Sequence, residues 1–167
     1  MVLGILSDTH NHVAAARRGL EALAEAGAEA LVHCGDIGED VLDLLSAECL
    51  ARGIPAWAAL GNCDGWGDAA YRGRPAGIEG LARQVHFAAD GKACAVVHGD
   101  DLRALWQLAN SGTLDYLFTG HTHRPELERV GRTTVLNPGS AARPRNGMAT
   151  VAFLDTASGD AKWIPLE

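Results

Sequence analysis

Three times within its first 64 residues the chain repeats one pattern: a short apolar run, an abrupt polar loop, and a helical stretch or the next turn. Val2–Leu6 stops at Ser7-Asp8-Thr9-His10, and residues 13–26 then carry Val13, Ala16, Leu20, Leu23 and Ala24 at helical spacing before Gly27. Apolar residues recurring every three or four positions specify a helix that buries one side, and a glycine just past the last turn ends it. Ala30-Leu31-Val32 runs into His33-Cys34-Gly35-Asp36, after which Gly38-Glu39-Asp40 opens a second helix to about residue 51. Its first-turn acids face the positive end of the helix dipole. Residues 54–60 form a third run, ending at Gly61-Asn62-Cys63-Asp64. Strands joined by crossover helices pair in parallel, and the functional loops of such sheets gather at the carboxyl ends of the strands. The pattern therefore predicts an α/β fold whose polar loops share one edge.

Residues 65–80 are rich in Gly, Arg and Pro without periodicity, and are expected to form an irregular excursion that shapes substrate access. Residues 84–88 and 93–97 flank Asp90-Gly91, a strong hairpin signal, and the second run leads into His98-Gly99-Asp100. A short helix over residues 101–110 and a strand over Tyr116-Leu117-Phe118 follow, the latter ending at Gly120-His121-Thr122-His123. Three or four short strands complete the chain, near residues 127–129, 133–136, 149–154 and 161–164, interrupted by a turn at Asn137-Pro138-Gly139-Ser140.

The 167 residues suit one domain spanning 1–167. Neither an 18-residue apolar span nor a basic-then-apolar signal segment is seen, so the expected location is the cytoplasm, away from membranes. Cys34, Cys49, Cys63 and Cys94 form no C-x-x-C pair, which argues for reduced thiols over a disulfide framework or a thiolate zinc site. A net charge of −7 argues against extended nucleic acid as a partner. That charge is uneven, with Arg124, Arg129, Arg132, Arg143 and Arg145 set against only Glu126 and Glu128. Such a run is either a local anion site or a set of solvated arginines on hairpins, and spacing favours the second. Monomer and homo-oligomer both remain open.

Asp8, His10, Asp36, Asn62, His98, His121 and His123 all lie just past expected strand ends. Singly, each is an ordinary turn former or helix cap. Together they are harder to dismiss, because five successive strand ends terminate in Asp, Asn or His. Carboxylates and imidazoles with one amide, and no thiolate, suit Mn, Fe, Co, Ni or Zn better than a calcium cage. Two divalent ions about 3.5–4 Å apart polarise a phosphoryl group and lower the pKa of a bridging water, provided one carboxylate bridges them. An extended backbone would turn both side chains of Asp8-x-His10, and both of His121-x-His123, to one side.

In this order Asp8-x-His10, Gly35-Asp36, Gly61-Asn62-Cys63-Asp64, His98-Gly99 and Gly120-His121-x-His123 resemble the five signatures of the calcineurin-like metallophosphoesterases, over residues 2 to about 140. The short chain, the Gly-Asn-Cys-Asp form and the Asn137–Ser140 turn are similar to the small bacterial and archaeal phosphodiesterases; eukaryotic relatives include the retromer scaffold subunit. The resemblance implies a four-layer α/β/β/α sandwich of metallo-dependent phosphatase type, with two mixed β-sheets stacked together. It also implies that Asp8, His10 and His123 bind one metal, Asn62, His98 and His121 a second, and Asp36 both. Manganese is the first choice of metal, with nickel, cobalt, iron or zinc as alternatives. The implied reaction is attack of a metal-bound hydroxide on a small phosphate ester, with a phosphodiester favoured and Asp36, Asn62 and Cys63 as catalytic candidates. Arg143, just past the turn, is the candidate substrate contact, against the alternative of a surface arginine.

Two positions depart from the wider family. Many relatives carry His where this chain has Cys63, and that imidazole serves the leaving group. A free thiol, with a pKa of about 8.5, is protonated at neutral pH yet donates hydrogen bonds weakly, so dependence on a good leaving group, or help from water or substrate, is expected. A common His-Gly-His also appears here as His98-Gly99-Asp100. His12, His33 and His86 are given no metal role: His33 reads as a buried structural residue rather than a partner of a ligand carboxylate, and His12 as facing substrate or starting the helix. Two other functions compete. A protein-interaction scaffold resembling the retromer subunit tends to lose ligands, whereas this chain keeps all seven. An anion-binding module built on helix N-termini needs no histidines, and the chain has neither G-x-x-x-x-G-K nor G-x-G-x-x-G.

Overall fold

Two mixed β-sheets stack face to face, each containing a run of parallel strands. The computed structural model describes residues 1–65, 73–145 and 147–167. In chain order the elements are β1 (Val2–Leu6), α1 (Val13–Glu25), β2 (Ala30–His33), α2 (Glu39–Arg52), β3 (Ala56–Ala59), β4 (Ile78–Ala82), β5 (Gln84–Ala89), β6 (Lys92–Val97), α3 (Leu102–Ala109), β7 (Tyr116–Phe118), β8 (Pro125–Val130), β9 (Thr133–Pro138), β10 (Ala149–Asp155) and β11 (Ala161–Leu166). The first sheet runs β11-β10-β1-β2-β3-β4, and the second β5-β6-β7-β9-β8. β1 to β4 pair in parallel, as do β6, β7 and β9; the remaining pairs are antiparallel.

Strands covered on both faces must be apolar at every position, and their alternate residues feed two different cores. In β1 and β2, Leu3, Ile5, Ala30 and Val32 point between the sheets, while Leu6 and Leu31 pack beneath α1 and α2 with Leu20, Leu23, Val41, Leu42 and Leu45. In β7, Phe118 points between the sheets, and Leu117 lies in a third cluster with Ala95, Val97, Leu105 and Leu108 under α3. Helices, sheet, sheet and helix thus form four layers, which is the sandwich that the motif order implied. Between the sheets Trp57 stacks on Phe87 at 4.1 Å, and Phe118 lies 6.2 Å from Phe87 and 6.4 Å from Tyr116. No helix among the described residues is long and apolar enough to cross a membrane.

The Asp90-Gly91 hairpin forms with both turn residues at positive φ, 50° and 73°, as a tight turn matched to strand twist requires. Two expectations need correction. Residues 65–80 are not wholly irregular, since Ile78 opens β4 on the edge of the first sheet. Its sequence, Ile-Glu-Gly-Leu-Ala, hides a half-exposed strand because a glycine interrupts the alternation. Residues 66–72, the centre of that stretch, lie outside the described residues. Asn137 and Pro138 end β9 rather than forming a turn, and Pro138 is paired with Pro125.

Phe118 is fully buried between the sheets. Phe118→Ala is expected to destabilise the fold by about 3–5 kcal/mol, seen as a lower urea midpoint at an unchanged slope.

Candidate metal centre

The loops after β1, β2, β3, β6, β7 and β9 meet where the carboxyl ends of the two sheets come together. Backbone bonds extend the β1–β2 ladder into the loops: Asp8 N–H donates to Gly35 O at 3.0 Å, His10 N–H to Asp36 O at 2.8 Å and Asn11 N–H to Ile37 O at 2.8 Å. Across the seam, His121 N–H donates to Asp8 Oδ2 at 3.1 Å, and His98 Nδ1 to Cys34 O at 2.8 Å. The end of β9 and the turn after it close the ring, with Asn137 Nδ2 donating to Gly120 O at 2.7 Å and Ser140 Oγ to Asp8 O at 2.9 Å. Two glycines allow this approach. A Cβ on Gly61 would lie 2.1 Å from Asp36 Oδ1, and one on Gly120 2.0 Å from Ser7 Oγ.

Three groups of ligand-type atoms converge within 4.8 Å among the described residues: Asp8 with His10 and His123, Asp8 with Asp36 and His98, and Asp36 with His10 and Cys63. Asp8 Oδ1 lies 3.1 Å from His123 Nε2 and 4.0 Å from His10 Nε2, and the two imidazole nitrogens are 3.4 Å apart. Asp36 Oδ2 lies 3.4 Å from His98 Nε2 and 3.8 Å from His10 Nδ1. Asp36 is shared by two of the three groups, as are Asp8 and His10. His121 belongs to none of the three groups; its ring meets His98 edge-on at a centroid distance of 5.1 Å. Asn62 is exposed beside them, its amide donating to Cys63 Sγ at 3.5 Å.

The backbone reaches this arrangement in an unexpected way. Asp8, His10, Asp36, His121 and His123 all have φ between 45° and 65°, the left-handed region, so the extended geometry expected of the two X-x-X pairs is overturned. Asp, Asn and His tolerate this region better than other side chains, but it still costs about 1–3 kcal/mol per residue. The loop–loop hydrogen bonds hold it. The consequence for the second pair is a split: His123 joins Asp8 and His10, whereas His121 turns to His98.

The protonation pattern leaves ligand atoms free. His123 Nδ1 donates to Arg143 O and His98 Nδ1 to Cys34 O, so each ring turns its Nε2 toward a carboxylate. Asp8 Oδ2 is taken by Ser7 Oγ at 2.6 Å and by His121 N–H, whereas Asp8 Oδ1 and His98 Nε2 are buried without a hydrogen-bond partner. An imidazole lone pair facing a buried carboxylate oxygen is repulsive unless a proton or a metal cation lies between them. Burial raises the pKa of Asp8 and lowers that of His10. Burial also acts to raise Asp36, but His98 and the Cys63 amide outweigh it and hold the carboxyl below its usual range. Burial works against the charged form of His98, yet Asp36 beside it raises its pKa. An orphaned carboxylate oxygen and an orphaned imidazole nitrogen within a nest of like donors fit a divalent transition metal.

Residues 1–159 match the model described as the calcineurin-like phosphoesterase superfamily domain. The chain belongs to that family. It is thereby a metal-dependent hydrolase of phosphoric ester bonds, and divalent metals are its implied cofactors. A phosphodiesterase of Methanocaldococcus jannaschii is 29% identical over 175 residues, covering 100% of both chains. The solved structure of an archaeal phosphodiesterase superposes with a TM-score of 0.82 at 27% identity, covering 99% of this chain and 100% of its own. Vps29 of Entamoeba histolytica, solved with zinc, shares the fold at a TM-score of 0.66 and 19% identity, covering 99% of this chain and 98% of that one.

Within this phosphoesterase fold, the structure also assigns work to residues that sequence reasoning passed over. Asp64, quoted only as part of a motif, is buried and accepts hydrogen bonds from Ile37 N–H at 2.9 Å, Gly38 N–H at 3.0 Å and Gly61 N–H at 2.8 Å. It fastens the Asp36 loop to the Asn62 loop. Asn11 caps α2 from a different loop: Gly38 at the helix start has no side chain, and Asn11 Oδ1 accepts from Asp40 N–H at 2.9 Å. Polar loop residues all look alike in one sequence, so neither role had a distinguishing signal. His33 is the buried structural residue expected, held neutral with a pKa lowered to about 3 by burial; its Nδ1 accepts from Gly35 N–H, and its Nε2 meets Thr9 Oγ1 at 3.0 Å. His12 starts α1, accepting from Ala15 N–H. Asp100, at the position of the second histidine of His-Gly-His, pairs instead with Arg83 at 2.6 Å.

Asp64→Ala leaves three backbone donors without their acceptor, and should lower stability by about 3 kcal/mol in urea unfolding. Metal affinity measured by calorimetry should fall in the same variant, because two ligand loops lose their common anchor.

Proposed function

We propose that this chain is a phosphodiesterase that hydrolyses a small phosphate ester at a dinuclear divalent-metal centre. The observation that carries this reading is the pair of orphaned buried atoms, Asp8 Oδ1 and His98 Nε2, on residues that form one close group with Asp36. Asp8, His10 and His123 would hold one ion, Asn62, His98 and His121 the other, and Asp36 both. Manganese is the proposed metal, with nickel, cobalt, iron and zinc able to occupy the same donors. Such a pair of ions, when bound, polarises the phosphoryl group and makes an attacking hydroxide available near neutral pH. Residues 1–167 are proposed to act as one domain in the cytoplasm, in keeping with four cysteines that are all free.

The chain's own residues supply orientation and charge. His98 and His123 are fixed by their Nδ1 hydrogen bonds, so each Nε2 points inward before any ion arrives. Asp36 Oδ1 is held by Cys63 N–H at 2.8 Å, leaving Oδ2 toward His98 and His10. Arg143 is exposed, and its charge is felt at both His10 and Cys63, where it stabilises a phosphate entering from that end. The Cys63 thiol is pushed up to about 11, first by burial and then by Asp36. It stays protonated and can only donate a weak S–H bond, so leaving groups that need no strong acid are favoured.

The alternative, a non-catalytic interaction scaffold like Vps29, rests on likeness of fold. The retained ligand set argues against it.

Reconstituted with Mn, Ni or Co, the protein should bind about two ions per chain and hydrolyse bis(p-nitrophenyl) phosphate. Asp36→Asn should cost more activity than loss of any terminal ligand, while His12→Ala costs little. An inactive protein with both sites filled, or equal losses at Asp36 and His12, would overturn the proposal.

Cys63→His should leave metal content intact and extend activity toward esters with poorer leaving groups. A leaving-group dependence of kcat/KM identical to that of the parent would show that position to be inert.

A further inference from the structure

The arginine run between residues 124 and 145 resolves into two kinds of residue. Arg132 pairs with Asp115 at 2.7 Å, and Arg129 is spent on Gly131 O and Thr134 Oγ1 within its own hairpin. Elsewhere Arg52, Arg74 and Arg83 each have a carboxylate within 4.0 Å. Arg124 and Arg145, like Arg17, Arg18, Arg103 and Arg143, have no salt-bridge partner among the described residues, and what sets them apart is that they stand together beside His121. Both are exposed and both line a cleft of about 380 Å³ with His121, Thr122 and Glu126.

The cleft is anchored to the metal centre. His121, a candidate ligand, forms one wall. Arg124 N–H donates to Thr122 Oγ1 at 3.3 Å, and that hydroxyl also receives Asn137 Nδ2 at 3.1 Å. Arg145 N–H donates to His123 O at 3.5 Å, while His123 Nδ1 donates to Arg143 O, so the arginine segment is tied to the ligand loop on two sides. Arg143 serves the His10–Cys63 end of the centre, whereas Arg124 and Arg145 stand at its His121 end. Two guanidiniums against the single carboxylate of Glu126 leave the cleft cationic. Paired guanidiniums present planar forks of donors that match phosphate oxygens.

We propose that Arg124 and Arg145 form a second anion subsite, and that the preferred substrate is a phosphate ester carrying another phosphate group beyond the scissile one. This rests on the phosphodiesterase reading and narrows its substrate class. A plain diester leaves the cleft unused.

The test compares two chromogenic substrates that differ only in the second phosphate: the p-nitrophenyl ester of a nucleoside monophosphate and that of the matching nucleoside bisphosphate. With Mn-loaded protein, kcat/KM should favour the bisphosphate ester by about tenfold or more, from charge-assisted contacts to the arginines. Arg124→Ala with Arg145→Ala should bring the ratio to about one, each single variant falling between, and the parent's preference should shrink as salt is raised. A preference that survives the double substitution, or one absent from the parent, overturns the subsite. Should the parent hydrolyse neither ester, the phosphodiesterase reading fails, and the subsite is decided by calorimetry with the free nucleoside bisphosphate and monophosphate. Tighter binding of the bisphosphate that is lost in the double variant sustains it; equal binding of the two nucleotides by the parent overturns it.

Discussion

A carboxylate with no exposed surface sits where the two sheets meet, and much of the molecule is arranged around it. Asp8 is fully buried; one of its oxygens is spent on Ser7 and the His121 amide, and the other faces His123 Nε2 without a hydrogen-bond donor. Taking an ionised carboxylate out of water costs several kcal/mol even after the protein relaxes. Hydrogen bonds to Oδ2 offset part of this and leave Oδ1 to be satisfied by a cation. The same bonds join the loop after β1 to the loop after β7, so the group that demands a metal also clamps the two sheets together. With a metal on Asp8 and His123 as proposed, its affinity would be coupled to cohesion of the sandwich, because any change that loosens the seam also moves Asp8 relative to His123.

The left-handed backbone at Asp8, His10, Asp36, His121 and His123 is the cost of bringing so many donors into one small volume. Strands arrive about 4.8 Å apart, too widely for side chains from successive strands to converge without a sharp local turn. Each positive φ folds the chain back and carries a side chain inward. The strain persists because the loops continue the β1–β2 ladder and because Asp64 receives three amides from two of them. Pre-set loops of this kind spare the protein the entropy of ordering them when an ion binds.

Much of this was legible in the sequence, for identifiable reasons. β1, β2 and β7 were readable because strands buried on both faces must be apolar throughout, and the convergence of Asp8, His10, Asp36, His98 and His123 was readable because they follow strand ends that share one edge. What escaped was whatever depends on relations between loops. β4 was hidden by Gly80 and an exposed edge, and Asn11 and Asp64 looked like any other polar loop residue until the backbone amides they accept from were in place. The backbone at the two X-x-X pairs was misjudged for a related reason: period-2 reasoning applies to strands, and both pairs lie just beyond one.

The arginines show how a composition signal can conceal two functions. On spacing alone the run from Arg124 to Arg145 reads as solvated hairpin charge, and for Arg129 and Arg132 that reading is right. The others differ in what surrounds them rather than in their own chemistry. The contrast between Asp36 and Cys63 is sharp, because His98 and the Cys63 amide keep the Asp36 carboxylate ionised while burial, and then Asp36, hold the proton on the thiol. The centre can thus keep Asp36, its proposed bridge, charged and yet offers little acid to a departing alcohol. A site with a weak acid gains most by binding the remainder of its substrate firmly, since contacts remote from the reacting bond can be used to orient it. Cationic groups placed outside the ligand set, at Arg143 on one side and at Arg124 and Arg145 on the other, are positioned to supply such contacts without competing for the metals.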